Sequence, residues 1–155
     1  MKLEIAAELC RRFEGFRSKP YLCPAGVPTI GYGSTFYADG RRVTMQDAAI
    51  SKDEANALLV HELEHKYVPA VIRLCPGLLA DAKADDWRTF NAVVDFVYNL
   101  GAGRLQTSTL RKRINEKDWQ GVCDELMKWT RGGGRVLPGL VTRRKAECEL
   151  IKNRI

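Results

Sequence analysis

The sequence is short of the residues from which protein metal sites are most often built. It contains two histidines, His61 and His65, and five cysteines that are scattered without a Cys-x-x-Cys pair. This spacing disfavours a zinc ribbon, and an odd cysteine count in a chain without a recognisable secretory signal is typical of free thiols. We therefore expect no metal and no other cofactor.

Long apolar runs are missing as well. The first ten residues carry Glu4 and Glu8 where a secretory signal needs an uninterrupted apolar stretch. The apolar segment after Phe90 is broken by Asp95 and Asn99, so it does not reach the length of a membrane span. We expect a chain that does not insert stably into a membrane and that stays in the cytoplasm where it is made.

The charge is unbalanced in the positive direction, with 25 lysines and arginines against 19 acidic residues. Such a surface favours an anionic partner, whether nucleic acid, a membrane surface or an acidic cell wall. The basic clusters at 11–12, 41–42, 111–113 and 143–145 are spread along the chain and do not lie on one recognition helix. We therefore expect no nucleic acid partner, although the charge alone leaves a non-catalytic binder of polyanions open.

The first half of the chain predicts a small sheet between two helices. Residues 3–13 place apolar side chains along one helical stripe. Between 20 and 43, short β-type runs alternate with proline, glycine and an Asp39-Gly40 turn, which predicts two or three strands. Residues 51–54 (SKDE) form a capping box that opens a helix through 74, with a kink at Pro69.

Beyond Pro76 the sequence predicts helices, at 85–100, 108–115, 119–129 and 138–151, with a flexible loop at 131–135. The predicted fold class is therefore α+β and mostly α, in one domain of residues 1–155. Its small sheet lobe comprises about 14–60, and its larger helical lobe about 75–155 plus residues 1–13. The long helix at 52–74 joins the two lobes.

Glu14 ends the first predicted helix and is flanked by Phe13 and Phe16. A half-buried carboxyl beside apolar groups can stay protonated near neutral pH. Glycoside hydrolysis needs such an acid to protonate the leaving oxygen, with a second group that holds water or attacks the sugar. The alternative is a helix-end carboxylate paired with one of the arginines at 11–17.

Residues 13–33 read FEGFRSKPYLCPAGVPTIGYG, in which Cys23 follows Glu14 by nine residues and Thr29 follows six residues later. This segment resembles the active-site signature of phage-type lysozymes, glycoside hydrolase family 24, which includes the enzyme of T-even phages. The resemblance implies a lysozyme-like fold with Glu14 as the general acid. It places Cys23 at the second catalytic position, which is Asp or Cys in the family, and implies that Thr29 helps to hold the attacking water.

The likeness continues in two later segments. Residues 96–101 (FVYNLG) resemble the family's core helix that ends at the cleft, which implies that Asn99 contacts substrate. Residues 129–144 (WTRGGGRVLPGLVTRR) resemble its late loop and terminal helix, which implies that Arg135 lies against the catalytic glutamate and binds substrate. From the residues alone, Asn99 is equally suited to cap a helix and Arg135 to lie on the surface.

Two residues depart from the T-even pattern. Ser34 stands where that enzyme has a histidine, so an ion pair of that kind is not expected. Cys23 is a weak base as a thiol with an ordinary pKa near 8.5, but its thiolate is a good nucleophile. Inverting and retaining routes therefore both stay open, with inversion the family's usual outcome, and a loop thiol without a role remains the alternative for Cys23.

A competing motif lies at residues 61–65, where HELEH matches the H-E-x-x-H pattern of zinc metalloproteases. At 100° per residue the two histidines fall on the face opposite Leu59 and Leu63, and no further histidine supplies the third ligand that a catalytic zinc needs. We favour a solvated face over a zinc protease built from His61, Glu62 and His65. A Cys–His hydrolase that uses Cys23 lacks a third residue to orient the histidine.

The resemblance implies an endolysin, a muramidase that hydrolyses the β-1,4 bond between N-acetylmuramic acid and N-acetylglucosamine in bacterial peptidoglycan. A lytic transglycosylase, which breaks the same bond without water, is the nearest alternative. Such an enzyme is expected to act as a monomer. It would leave the host cytoplasm and reach the wall after a holin has permeabilised the membrane.

Overall fold

The computed structural model describes residues 2–84 and 86–155, and it is mostly helical with a small two-stranded sheet. The helices are α1 (Glu4–Glu14), α2 (Lys52–Glu62), α3 (Val68–Leu74), α4 (Gly77–Ala84), α5 (Trp87–Leu100), α6 (Ala102–Gln106), α7 (Thr109–Asn115), α8 (Trp119–Leu126) and α9 (Pro138–Ile151). The strands are β1 (Arg17–Leu22), β2 (Pro28–Gly31), β3 (Arg131–Gly132) and β4 (Arg135–Val136). Among the described residues, every helix is too short or too polar to cross a membrane. The α+β, mostly α fold class is thus confirmed.

The small sheet carries its own core. Strands β1 and β2 are antiparallel, with Tyr21 opposite Thr29, and the register is irregular between Arg17 and Tyr21. Behind them Ile30, Val43 and Leu58 form a buried cluster that is separate from the main core. The sheet therefore packs onto α2, and the division of the chain into two lobes remains a prediction.

The capping box is present at the start of α2. The Ser51 hydroxyl accepts from the amide of Glu54, and the Glu54 carboxylate accepts from the amide of Ser51. The helix does not continue smoothly to Leu74, because a π-helical segment, Leu63–Tyr67, separates α2 from α3. Proline lacks an amide hydrogen and crowds the preceding turn of an α-helix. The wider turn of the π-helical segment lies just before Pro69, where a regular α-helix would be strained.

Helix α5 forms the centre of the main core, and its residues from Thr89 to Val97 are all buried. Helices α1, α4 and α9 pack around it. Asn91 ties α1 to α5, because its Oδ1 accepts from the amide of Ala6 at 2.9 Å. This packing brings the C-terminal end of α1 and the N-terminal half of α9 to the same end of α5, where the candidate site lies.

The predicted flexible loop at 131–135 is instead a short hairpin. Arg131 pairs with Val136 and Gly132 with Arg135, while Gly133 and Gly134 have φ values of 59° and 81° and form the turn. Two glycines in the left-handed region are what such a tight hairpin requires. The preceding helix α8 also ends at Leu126, three residues before the predicted boundary.

Candidate active site

Glu14 is the last residue of α1, and its side chain is 28% exposed. It faces the loop that follows β2, where a Cβ placed on Gly33 would lie 3.5 Å from Glu14 Oε2 and 3.3 Å from the hydroxyl of Tyr98. The Tyr98 hydroxyl donates to the carbonyl of Tyr32 at 2.6 Å. The carboxyl group is thus held at the junction of α1, α5 and the sheet, half in contact with solvent.

Arg143 of α9 is the cation that contacts Glu14. Its Nη1 donates to Glu14 Oε1 at 2.7 Å, and its Nε and Nη2 donate to the two carboxylate oxygens of Asp95 at 2.9 and 2.7 Å. Arg143 is 3% exposed and Asp95 is fully buried. Burial would lower the pKa of Arg143, but the hydrogen bonds and charge of Asp95, followed by Glu14, raise it above its ordinary value.

The expectation that Arg135 lies against Glu14 is therefore wrong. Arg135 is exposed on β4 of the hairpin, whereas Arg143 lies on α9 and points toward α1 and α5. Among the described residues Glu14 pairs with none of the arginines at 11–17. Arg11 binds Glu4 and Asn56, while Arg12 and Arg17 lie over the rings of Phe13 and Tyr21. Whether Arg135 binds substrate stays a prediction.

Asn99 lies one turn after Asp95 on α5 and is half-buried. Its Oδ1 accepts from Arg144 Nη2 at 3.0 Å, and the same nitrogen donates to Glu147 Oε1 at 2.6 Å. Helix α5 ends at Leu100 with Gly101 as its C-cap, so Asn99 is not the cap. Because arginine has only donors, the amide oxygen of Asn99 must face Arg144, which leaves its NH2 group for other partners.

Cys23 lies in the turn between β1 and β2. Its amide donates to the carbonyl of Val27 and its carbonyl accepts from the amide of Gly26. The pKa of the Cys23 thiol is lowered by hydrogen bonding from the backbone of Val27 and then of Ala25. Backbone amides that point at sulfur stabilise the thiolate, so the site is better suited to an anionic sulfur than an ordinary loop.

Thr29 and Tyr21 lie opposite each other on the two strands that flank the Cys23 turn. Thr29 is buried on β2, and its hydroxyl donates to the Val27 carbonyl at 2.9 Å within the Cys23 turn. Tyr21 lies opposite Thr29, and burial raises its pKa, with the charges of Glu14 and Cys23 acting in the same direction.

Ser34 takes part in a hydrogen bond that the sequence did not predict. Its hydroxyl donates to Glu62 Oε2 at 3.2 Å, and Ser34 is 1% exposed. Burial raises the pKa of Glu62 to about 7, with the Ser34 hydrogen bond and the charge of Lys66 opposing that rise. A hydroxyl and a carboxyl group therefore tie the loop after β2 to α2.

The H-E-x-x-H residues do not converge on one point. His61 and His65 stack on each other with ring centroids 4.1 Å apart, while Glu62 turns inward to Ser34. Across residues 2–84 and 86–155, His, Cys, Asp and Glu side chains form no group that could hold a metal ion. His65 is exposed and His61 partly exposed, and the absence of a zinc site stays a prediction.

Sequence reasoning missed Asp95, Arg143, Arg144 and Glu147. A signal was present, since Asp95 interrupts the apolar stripe of α5 and a buried carboxylate requires a cation. Its partner lies 48 residues later in the chain, and no local pattern distinguishes Arg143 from other arginines. Only the packing of α9 on α5 shows that Arg143 and Arg144 are the buried arginines.

A half-exposed glutamate at the end of a helix, facing a small sheet on a mostly helical domain, defines a lysozyme-like protein. The comparison with known families agrees: the phage lysozyme family model matches residues 11–147. The chain therefore belongs to the phage lysozyme family.

Relatives and solved structures give the same result. The chain is 38% identical over 137 residues to the SAR-endolysin of Bacteriophage PS119, covering 88% of this chain and 75% of that protein. It is 32% identical over 149 residues to the endolysin of Acyrthosiphon pisum secondary endosymbiont phage 1, covering 94% and 93%. An endolysin structure from Escherichia coli O157:H7 phage FAHEc1 superposes with a TM-score of 0.80 at 28% identity, covering 100% of this chain and 96% of that one. The muramidase domain of SpmX from Asticaccaulis excentricus gives 0.77 at 30% identity, covering 97% of each chain.

Proposed function

We propose that the protein is an endolysin, a muramidase of the T-even type in glycoside hydrolase family 24. It hydrolyses the β-1,4 bond between N-acetylmuramic acid and N-acetylglucosamine in bacterial peptidoglycan. The observation that carries the proposal is the position of Glu14, with Oε1 held by Arg143 and Oε2 at the loop of Gly33. The names of its relatives, endolysin and muramidase, support the same substrate.

Glu14 protonates the glycosidic oxygen as the bond to the anomeric carbon breaks. Oε2 is the oxygen suited to this transfer, because Oε1 already accepts from Arg143. Departure of the sugar leaves Glu14 ionised; in the inverting route Cys23 takes the proton of the attacking water and passes it to solvent, and Glu14 regains a proton from solvent. The reaction adds one water to the polymer and consumes no cofactor.

Cys23 and Thr29 act on the opposite face of the sugar. A Cys23 thiolate within the Val27 and Ala25 amides takes the place of the carboxylate that holds and deprotonates the attacking water. Attack by water from that face gives inversion at the anomeric carbon. Attack by the sulfur itself would form a thioglycoside, which water would then hydrolyse with retention.

Asn99 and Arg135 supply contacts to the sugar chain on the side of the helices. The amide oxygen of Asn99 is committed to Arg144, so Asn99 offers N–H donors to a sugar carbonyl or hydroxyl. Arg135 lies exposed at the hairpin, where it can reach an anionic muramic acid or peptide carboxylate. The enzyme acts as a monomer, and a holin gives it access to the wall from the host cytoplasm.

Hydrolysis is favoured over a lytic transglycosylase by Cys23 and Thr29, because a reaction without water needs neither. Purified peptidoglycan is digested by the wild type and by Glu14→Gln, and the muropeptides are analysed by mass spectrometry. Release of reducing-end products by the wild type but not by Glu14→Gln supports the proposal. Anhydro products, one water lighter, support the transglycosylase, and release by Glu14→Gln removes the role of Glu14.

A further inference from the structure

Two cysteines face each other where α8 packs on α9. The Cys123 sulfur lies 3.7 Å from the carbonyl oxygen of Cys148, and the Cys148 sulfur lies 3.6 Å from the carbonyl oxygen of Cys123. The two thiols also form a hydrogen bond with each other. Because each sulfur reaches the backbone of the other residue, the two side chains point toward one another.

The other three cysteines have different neighbours. All five cysteines are free thiols. Cys10 of α1 donates to Asp95 of α5, Cys23 lies in the turn between β1 and β2, and Cys75 follows the last residue of α3. The pair on α8 and α9 is therefore where the described part of the chain brings two thiols into position for a bond.

The arrangement of the pair suits a disulfide. Such a bond requires sulfur atoms about 2.0 Å apart and Cβ atoms that face each other across a short distance. The thiols of Cys123 and Cys148 are already hydrogen-bonded and lie on helices that pack together. We expect rotation about the Cα–Cβ bonds to be the main movement that brings the sulfurs to bonding distance.

The pair lies at the edge of the core and not at its centre. Cys123 is 9% and Cys148 is 7% exposed, whereas Cys10 and Cys75 are fully buried. Cys148 belongs to the last turn of α9, and Lys152, just beyond that turn, lies close enough to interact with both sulfurs. Helix ends open more readily than the centre of a fold, so an oxidant in solution can reach these sulfurs.

We propose that Cys123 and Cys148 form a disulfide bond when the protein meets a disulfide oxidant, and that this bond fastens α9 to α8. Thiols are kept reduced in the cytoplasm, whereas the bacterial periplasm favours disulfides. An endolysin that passes from the host cytoplasm to the wall moves from the first condition to the second. The bond itself is independent of the proposed function, and only this cellular setting rests on it.

The oxidant is a second disulfide, of a small molecule or of a dithiol protein, and the reaction takes two exchanges. The Cys123 thiolate attacks the oxidant, breaks its S–S bond and forms a mixed disulfide. The thiolate released in this step takes up the proton that Cys123 lost. Cys148 then loses its proton and attacks the Cys123 sulfur, which releases the second thiol. Two protein thiols are thus oxidised while one disulfide is reduced to two thiols.

Cys123 is the sulfur suited to react first. Burial raises its pKa, but the hydrogen bond from Cys148 and the charge of Lys152 oppose the rise. At Cys148 the hydrogen bond and the charge of Cys123 add to the effect of burial, and together they raise the pKa to about 12. Since the thiolate is the attacking species, the exchange should be slow at neutral pH and faster at pH 8.

The bond closes a loop that contains the hairpin and the first part of α9. The two cysteines are 25 positions apart, and between them lie β3, β4 and Arg143, which holds Glu14. Closing a loop of this length restricts the unfolded chain more than the folded one. We expect the midpoint of thermal unfolding to rise by about 5 to 15 °C.

The test incubates the purified full-length chain with oxidised glutathione at pH 8 and room temperature, so that the protein is folded. Remaining thiols are then blocked with iodoacetamide in denaturant, and the bonds are identified by mass spectrometry of unreduced peptides. We expect a cross-linked pair of peptides that joins Cys123 to Cys148 and separates on reduction. Thermal unfolding of the oxidised and the reduced protein measures the shift in the midpoint.

Cys148→Ala and Cys75→Ala are matched variants, since each removes one buried thiol. Cys75→Ala should form the cross-link, and its thermal midpoint should rise on oxidation as in the wild type. Cys148→Ala should form no cross-link, and its midpoint should be the same with and without oxidised glutathione. If Cys148→Ala does not fold, the oxidised and reduced forms of the wild type still give the shift.

Three results would overturn the proposal. One is a folded wild type without the Cys123–Cys148 bond under oxidising conditions in which the protein unfolded in urea forms disulfides. Another is a bond that joins either cysteine to a different thiol of the chain. The third is a Cys123–Cys148 bond that leaves the thermal midpoint unchanged or lowers it. Wall digestion by the reduced protein is measured separately, so these results leave the proposed function of Glu14 untouched.

Discussion

Arg143 donates to Oε1 of Glu14 at 2.7 Å and leaves Oε2 at the glycine loop after β2. The two oxygens of the carboxyl group therefore have different surroundings, one facing a buried guanidinium and the other the loop at Gly33. In the proposed mechanism, Oε2 is the oxygen that faces the glycosidic oxygen of the substrate. The orientation of the Glu14 carboxyl group is set by Arg143 of α9, which lies 129 residues later in the chain.

The Arg143–Asp95 pair is the first target for mutation. Arg143→Gln leaves the Asp95 carboxylate in the core without its cation, so we expect a loss of about 3 to 5 kcal/mol in the free energy of unfolding. The double variant with Asp95→Asn replaces the ion pair by two amides and should cost less than the sum of the single changes, with a coupling of about 1 to 3 kcal/mol.

Urea denaturation measures the free energy of unfolding of both variants, with Arg113→Gln as the control. Arg113 bridges Asp118 at the surface, and its replacement should cost less than about 1 kcal/mol. Equal losses for Arg143→Gln and Arg113→Gln would mean that the buried pair contributes no more than a surface pair.

Substitution of Gly33 distinguishes the effect of backbone strain from the effect of altered active-site geometry. Its φ of +96° disfavours any side chain, and a Cβ there would press on Tyr98 and Glu14. Gly33→Ala should lower stability by about 1 to 3 kcal/mol and also lower the rate of wall digestion. Gly40→Ala is the control, since its φ is +86° with nothing within 4 Å and it lies outside the proposed site. This control variant should lose stability but keep its activity. An equal loss of activity in the two variants would mean that backbone strain alone explains the loss.

Glu62 should make stability depend on pH. Its folded-state pKa, about 7, lies above the ordinary 4.5, so the native state binds the proton more tightly than the unfolded state. The resulting stabilisation is complete below about pH 4.5 and is lost as the pH rises through about 7, by roughly 3 kcal/mol.

Glu62→Gln should remove this slope and unfold at higher denaturant than the wild type at pH 8, because the amide can still accept from Ser34. Chemical denaturation from pH 5 to 8 measures the effect. Glu64→Gln, an exposed neighbour, should keep the wild-type slope. A slope that persists in Glu62→Gln would assign it to another group.

Cys23 should react selectively with alkylating reagents. Its thiol pKa is lowered, while burial raises the pKa of the other four thiols, to about 11 for Cys75 and about 12 for Cys148. Native protein treated with iodoacetamide at pH 7 should carry one label, on Cys23, and lose activity because the sulfur can no longer hold water. Peptide mapping locates the label. Full activity after complete labelling of Cys23 would exclude it from the reaction.

Local patterns predicted most of the helices and the position of Glu14, because these depend on short-range features. The capping box at Ser51 and the Gly15 stop each lie within four residues of the structure they specify. The hairpin at 131–136 was missed because a run of three glycines indicates flexibility as readily as a tight turn. The π-helical segment before Pro69 was predicted only as a kink.

The electrostatic partners could not be predicted, since they join residues distant in the chain. Arg143 and Asp95 are 48 positions apart, and Arg143 and Glu14 are 129 apart. Arg135 and Arg143 both lie in the segment that resembles the family's terminal region. Their burial differs because one occupies a hairpin and the other the packed face of α9, and that difference depends on the tertiary structure.

The central claim is that Glu14 is the acid that cleaves peptidoglycan. The most direct test compares clearing of purified bacterial walls by the wild type, Glu14→Gln and Glu8→Gln, at matched concentrations of folded protein. Glu8 is an exposed glutamate on the same helix. We expect the wild type and Glu8→Gln to clear walls at similar rates and Glu14→Gln to lose clearing by at least about a hundredfold, the lower range for loss of a general acid. Clearing by Glu14→Gln at the wild-type rate would contradict the assignment.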